Sequence, residues 1–312
     1  MAEKTEHDAP VMVDILEALN SSDPVSIPLL YRLSDLTPAE LGEFCCGWAT
    51  IDAERRRVIV RHLADIIEEN FHVDFTGVFE HCLEDIAPEV RKASLDGLWD
   101  SDKVTLIRPI IDLMESDPDN EVRALAAATL GHYILLGEWG QIRAGAVEPV
   151  VESLLKQIDD EQTADIVKYA ALESVAASGH PRIESLIHDA YDSADLEAQK
   201  SALFAMGRSA ETRWINTVID EMSSPIVEMR LEAARAAGEI GDKSAVPEVI
   251  ELTSDEDLEV RLIAVTALGR LGGHIPRRFL EDIIADPDRI ELHEVASEAL
   301  EEVDWLGGAI DL

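Results

Sequence analysis

Imidazole and thiol side chains, the most diagnostic of metal and nucleophile chemistry, are few in this 312-residue chain (9 His, 3 Cys), and their spacing argues against most chemistry. His72, Asp74, His81 and Cys82 bring imidazole, carboxylate and thiol close together in sequence. Their intervals fit no standard zinc pattern, and a helix would hold His72 and His81 far apart. Cys45 and Cys46 are adjacent and Cys82 makes the count odd, so no disulfide framework is expected and the thiols are read as reduced. The sequence contains no G-x-S-x-G, P-loop, H-E-x-x-H or G-x-G-x-x-G. No catalytic, cofactor-binding or metal-ligating residue is assigned, and the chain is expected not to be an enzyme. What remains is recognition chemistry. Trp139, Tyr169, Phe204, Arg208 and Trp214 are aromatic and guanidinium side chains of the kind that anchor protein interfaces, in a chain with 5% aromatic residues.

Charge narrows the partners. Asp and Glu number 64 against 26 Lys and Arg, a net charge of −38. Affinity for a phosphate backbone comes mainly from Lys and Arg releasing counterions, so nucleic acid is not an expected partner. An anionic membrane surface is excluded on the same ground. Lys is scarce, 7 against 19 Arg. That pattern suits a salt-adapted, halophilic protein, whose carboxylates tolerate one another when the Debye length falls to about 3 Å at molar salt. The opening MAEKTEHDAP is polar and acidic and does not read as a signal peptide. No apolar run is long enough to span a bilayer, so a cytoplasmic location is expected.

The elements that must carry these residues are set by a repeat. A hydrophobic residue, a basic or polar residue, and Ala or Ser three further on recur at Arg91, Arg123, Lys168, Gln199, Arg230, Arg261 and His293. The intervals are 32, 45, 31, 31, 31 and 32, and the long one marks an insertion at 135–146. Each unit reads as two helices. In the clearest copy the first spans 245–253 and the second 258–271, with Asp255 or Asp257 as its N-cap. Val260, Ala264, Val265 and Leu268 form its apolar stripe. The small residue of every copy (Ser94, Ala126, Ala171, Ala202, Ala233, Ala264, Ala296) lets neighbouring helices approach. Gly131, Gly207, Gly238 and Gly269 stand near expected helix ends, where a left-handed residue is wanted. Pro149 and Pro247 sit near the starts of first helices. Such a pair cannot bury its own stripe, so pairs must stack, and an all-α superhelix follows.

At this point the chain resembles a family. The pattern Asp-x-x-x-x-Val-Arg-x-x-Ala-x-x-x-Leu-Gly, complete at 117–131 and 255–269, is similar to HEAT repeats of the phycobilisome-lyase-like (PBS) type. The resemblance covers about residues 80–305 and implies a HEAT-repeat solenoid of about eight helical pairs. It also implies a structural ladder of Asp85, Asp117 and Asp255 with Arg91, Arg123, Arg230 and Arg261, incomplete at Lys168, Gln199 and His293. Di-iron HEAT-repeat hydroxylases resemble the chain in fold, but they place a His-Glu pair in four repeats. Here His293-Glu294 stands alone, the equivalent pairs being Arg91-Lys92, Arg123-Ala124, Lys168-Tyr169, Gln199-Lys200, Arg230-Leu231 and Arg261-Leu262. A HEAT-like glycosylase needs a basic groove, which the charge opposes. The expected function is a non-enzymatic scaffold or adaptor binding a protein partner. The alternative is an accessory or lyase-like protein acting on a cofactor-bearing partner.

Residues 1–9 are expected to be disordered, 10–80 to form a helical cap of degenerate repeats, and 81–312 one continuous solenoid with a C-terminal cap. Within 10–80, Asp23-Pro24 begins an element, Thr37-Pro38-Ala39-Glu40 reads as a helix start and Asp52 caps the next helix. Arg55, Arg56, Arg57 and Arg61 form the densest basic cluster and are expected to pair with neighbouring acidic helices. Trp139, bracketed by Gly137 and Gly140, is either a plug into the adjacent repeat or an exposed contact, burial being preferred. Phe204 and Arg208 lie four apart on one helix face, with Tyr169 on the equivalent face one repeat earlier. They serve either local packing with a cation–π contact or a partner.

If the acidity is a salt adaptation, the unfolding midpoint rises steeply between low and molar KCl, beyond the shift of a near-neutral control protein. A midpoint indifferent to KCl, read by circular dichroism, would refute the halophilic reading.

Overall fold

The computed structural model describes residues 12–21, 24–70 and 72–310, and no strand occurs among them. The stretch 1–9 and Asp23 lie outside the described residues. The chain divides into two compact units, Met1–Ser153 and Leu154–Leu312. The first holds α1 (Met12–Leu19), α2 (Ile27–Leu30), α3 (Pro38–Trp48), α4 (Ala53–Glu69), α5 (Thr76–Cys82), α6 (Pro88–Asp96), α7 (Ile107–Ser116) and α8 (Asn120–Glu138). The division falls inside α9 (Ala144–Asp159). The second holds α10 (Asp165–Val175), α11 (Ile183–Tyr191), α12 (Leu196–Arg208), α13 (Ile215–Glu221), α14 (Val227–Ile240), α15 (Val246–Leu252), α16 (Leu258–Leu271), α17 (His274–Ala285) and α18 (His293–Ile310).

Caps start these helices where the sequence places them. Thr37 and Glu40 form a reciprocal capping box on α3 with Pro38 at its first position. Asp52 accepts from the Glu54 N–H, and Asp257 from the N–H groups of Glu259 and Val260. The second helix of the clearest repeat runs over Leu258–Leu271, as its periodicity predicts. Pro247 occupies an initial position of α15, but Pro149 lies inside α9 rather than at its start.

Stacking follows from one row of helices in each unit. α4, α6 and α8 pack side by side in the first unit, and α10, α12, α14, α16 and α18 in the second. First helices such as α7, α11, α13, α15 and α17 each lean on the second helix that follows. The small residues make the row possible: Ser94, Ala126, Ala171, Ala202, Ala233, Ala264 and Ala296 are all completely buried. The glycines do the same work, which corrects the expectation of left-handed caps. Gly207, Gly238 and Gly269 sit inside helices, where a Cβ would stand 2.7, 3.0 and 2.9 Å from the Cα atoms of Ala236, Ala267 and Ala299. Gly131 likewise lies within α8. The left-handed C-caps are Gly179 and Gly241 instead.

The ladder forms at two of its four expected arginines, Arg91 and Arg230, and Arg56 adds a rung that was not expected. The Arg91 guanidinium donates from Nε and Nη2 to the two oxygens of Asp117, both at 2.7 Å, and from Nη1 to the Asp85 carbonyl at 2.7 Å. Arg230 repeats this on Asp255, at 2.7 and 2.8 Å, and on the Ser224 carbonyl at 3.0 Å. Arg56, one of the basic cluster expected to pair with neighbouring acidic helices, pairs with Asp85: its Nη2 donates to the carboxylate at 2.9 Å, its Nε lies 2.8 Å away without a hydrogen bond, and its Nη1 reaches the Ile51 carbonyl at 2.6 Å. The Trp48 indole N–H also donates to Asp85, at 2.8 Å. Each Asp in turn accepts from the N–H two residues on, Ala87, Asp119 or Asp257, and so ties off its own turn. Gln199 and His293 keep the bond within the turn, to the carbonyls of Ser193 (2.9 Å) and Asp286 (2.8 Å), but are too short to fork onto the next repeat. Arg123 bonds the Met114 carbonyl at 2.8 Å, and Arg261 reaches Glu291 at 3.5 Å rather than an Asp.

Two glycine substitutions separate packing from helix propensity. Gly207→Ala forces a methyl group against the Ala236 backbone and is expected to destabilise by about 1–3 kcal/mol despite its better propensity. Gly42→Ala in α3, where a Cβ meets nothing within 4 Å, is expected to stabilise by about 1 kcal/mol. Urea unfolding of both variants checks the contrast.

Candidate interaction surface

The rows of second helices bury one face in the stack and present another to solvent, and that open face carries two clusters. In the first unit a groove of ≈ 510 Å³ runs across α4, α6 and α8. α4 supplies Arg57, Val58, Arg61 and His62, α6 supplies Glu89, Lys92, Ala93 and Asp96, and α8 supplies Leu125. Arg57 pairs with Glu54 at 2.8 Å, Arg61 with Asp65 at 3.2 Å and Asp96 at 3.0 Å, and Lys92 with Glu121 at 2.6 Å. The Arg57–Glu54 and Arg61–Asp65 pairs are solvated and contribute about 0–1 kcal/mol each, whereas Lys92 and Asp96 are half-buried. Burial raises the Asp96 carboxyl above the usual range, against the pull of Arg61.

In the second unit the open face holds Glu173 on α10, Lys200 and Phe204 on α12, and Glu232 and Arg235 on α14. Burial pushes the Glu173 carboxyl up to about 7, with a lowering bond from Ser201 and a raising charge from Glu232 as smaller causes. Glu232 is raised too, by burial first, and its Oε2 is buried without a hydrogen-bond partner while Oε1 lies 3.5 Å from Arg235. Glu239 and Arg270, 3.6 Å apart, continue the face onto α16.

The residues proposed from sequence scatter over both units. Trp139 is the C-cap of α8 and is 62% exposed, so it is not a plug: the insertion lengthens α8 to Glu138 instead of forming a loop that folds back. Tyr169 is half-buried, and its hydroxyl donates to Asp195 at 2.5 Å, which raises the phenol pKa after burial has done most of that work. Phe204 and Arg208 are half-buried on α12. The cation–π contact described in the structure is Arg289 over Phe279, not this pair. Trp214, expected at a contact surface, is instead 3% exposed, its ring 4.8 Å from that of His188, because it leads into α13 on the stacked side. Sequence reasoning missed the carboxylate cluster and did not connect Arg57 and Arg61 with Lys92. The available signal was the position just after the basic column and that four further on: Lys92 and Asp96, Tyr169 and Glu173, Lys200 and Phe204, Leu231 and Arg235.

Among the described residues, no group of three or more His, Cys, Asp or Glu is placed to hold a metal. His293 spends its Nε2 on the turn at Asp286, and His72, His81 and Cys82 form no such group.

The geometry defines an all-α protein of stacked helical pairs, the architecture of an α-solenoid. Residues 215–301 match the family of HEAT repeats. No curated protein matches in sequence. Yeast importin-β (Kap95p) superposes over 94% of this chain and 46% of its own with 13% identity and a TM-score of 0.52. Escherichia coli YibA covers 91% of this chain and 99% of its own at 15% identity and a TM-score of 0.43. Human deoxyhypusine hydroxylase covers 94% and 96% at 14% identity and a TM-score of 0.36. The likeness to Kap95p supports the solenoid fold, and this chain spans just under half of that protein's length.

The carboxylates of the second unit set a pH dependence. Glu173 titrates near 7 when folded and at its ordinary value of 4.5 when unfolded. The folded state therefore binds the extra proton between those values, and stability falls as pH rises from about 4.5 through 7. Glu173→Gln is expected to flatten this decline and to raise the midpoint at pH 7.5. An unchanged slope between pH 5 and 7.5 in thermal melts would contradict it.

Proposed function

We propose that the chain is a non-enzymatic HEAT-repeat scaffold that binds protein through the open face of its second helices, in the cytoplasm of a salt-adapted cell. The observation that carries this reading is the groove over α4, α6 and α8, where Val58 and Leu125 supply apolar surface beside the nearly buried Ala93, between charged side chains. Concave, partly apolar surface with a polar rim is the form that recognition sites take. The charge of −38 supports protein rather than nucleic acid as the partner. No helix among the described residues is long and apolar enough to cross a membrane. The two repeats with the complete pattern at 117–131 and 255–269 support the PBS-type subclass.

Photo-crosslinking tests the face. A photoreactive residue at Leu125 or Phe204, on second helices, is expected to give discrete protein adducts in cells that make the protein naturally. The same residue at Arg108 on α7 or Arg278 on α17, on first helices, is expected to give few. Equal adducts from both sets, or none from the second helices, would remove the reading.

A further inference from the structure

The groove of the first unit gathers cations that are scarce in the rest of the chain. Acidic side chains outnumber basic ones 64 to 26 in the sequence, whereas Arg57, Arg61 and Lys92 line the groove against Glu89 and Asp96, with His62 beside them. We propose that this groove docks an acidic segment of a partner protein, with carboxylates on Arg57, Arg61 and Lys92 and an apolar side chain seated on Val58, Ala93 and Leu125. This rests on the scaffold reading and names the chemistry of the partner.

Three features carry it. Arg57 and Lys92 are held by exposed carboxylates that do not line the groove, Glu54 at 80% and Glu121 at 69% exposed, while Arg61 is shared between Asp65 and the groove-lining Asp96. Such pairs are weak and exchange readily, so an incoming carboxylate replaces a partner without stripping the cation bare. The floor is also unfinished. Val58 is 36% exposed on a helix whose neighbours Ile59 and Val60 are completely buried, so an apolar group gains by covering it. Specificity comes from the surroundings. An acidic segment is repelled over most of this surface and accepted where three cations converge, while a basic segment is drawn elsewhere. At molar salt the Debye length is about 3 Å, so the carboxylates must touch the cations directly and the floor supplies the rest of the affinity.

The probe is a displayed library of random twelve-residue peptides, selected on the full chain at 0.15 M and at 1 M KCl. Enriched peptides are expected to carry several Asp or Glu around one large apolar residue. Labelled synthetic copies are expected to lose at least tenfold affinity, by fluorescence anisotropy, for the Arg57→Glu/Lys92→Glu variant and for Val58→Asp. The milder Arg57→Gln/Lys92→Gln variant, checked by its melting midpoint, guards against misfolding and is expected to lose affinity in the same direction. Peptides without an acidic excess, acidic peptides that bind the charge-reversed chain equally, or no enrichment at all would overturn the proposal. So would a concentration-dependent dimer in sedimentation that the charge reversal abolishes, since the occupant would then be a second copy of this chain. Peptides that crosslink to α12 or α14 instead of α4 and α6 would sink the groove and leave the scaffold reading standing.

Discussion

A helical pair with one apolar stripe has nowhere to bury it except against the next pair, and the arginine fork sets how the next pair sits. One guanidinium closes its own inter-helix turn through a carbonyl five or six residues back and grips the following repeat's Asp with its remaining arms. That Asp simultaneously ties off its own turn. Arg91 and Asp117 have side chains 8% and 3% exposed, so these are desolvated charges whose loss on one side strands the other. The bidentate geometry makes the contact directional, which apolar packing alone is not.

The close packing of second helices is the complementary constraint. Ala and Gly columns allow backbones to approach until a single methyl group would collide at Gly207, Gly238 or Gly269. The rows therefore form from the smallest side chains, and their large side chains are left for the first helices and the open face. The fork fails where Gln199 and His293 replace Arg. Around Gln199 other contacts span successive repeats: Tyr169 to Asp195, Tyr191 to Glu221, Arg182 to Asp159 and Arg213 to Glu184. Direction is kept by different chemistry at the same interfaces.

What could be read beforehand divides along the same line. Positions that recur, the basic column, its Asp and the small residue three on, exist to stack, so periodicity exposed α16 and its cap correctly. Gly207 and its counterparts were misread because a glycine near the end of a periodic segment looks the same whether it caps a helix or admits a neighbour. Only the Ala236 backbone opposite distinguishes the two. Arg56 was hidden among Arg55, Arg57 and Arg61, since its repeat lacks the surrounding pattern and its partner Asp85 lies 29 residues away. Trp214 looked like an interface anchor because composition does not say which side of a short element faces the stack.

The columns where repeats disagree are the ones that stacking leaves free to vary. Stacking imposes no residue just beyond the basic column or four residues after that, and there the chain carries Lys92 with Asp96, Tyr169 with Glu173, Lys200 with Phe204 and Leu231 with Arg235. Those positions are half-buried on α6 in the first unit and on the successive second helices α10, α12 and α14 in the second, so a repeat can vary them without disturbing the stack. In a chain with 64 carboxylates, the background such a surface must stand out from is negative charge. Acidic residues on the open face add little that the rest of the molecule does not offer. Arg57, Arg61 and Lys92 around the partly exposed Val58 are the exception, and the proposed docking of an acidic segment rests on that contrast.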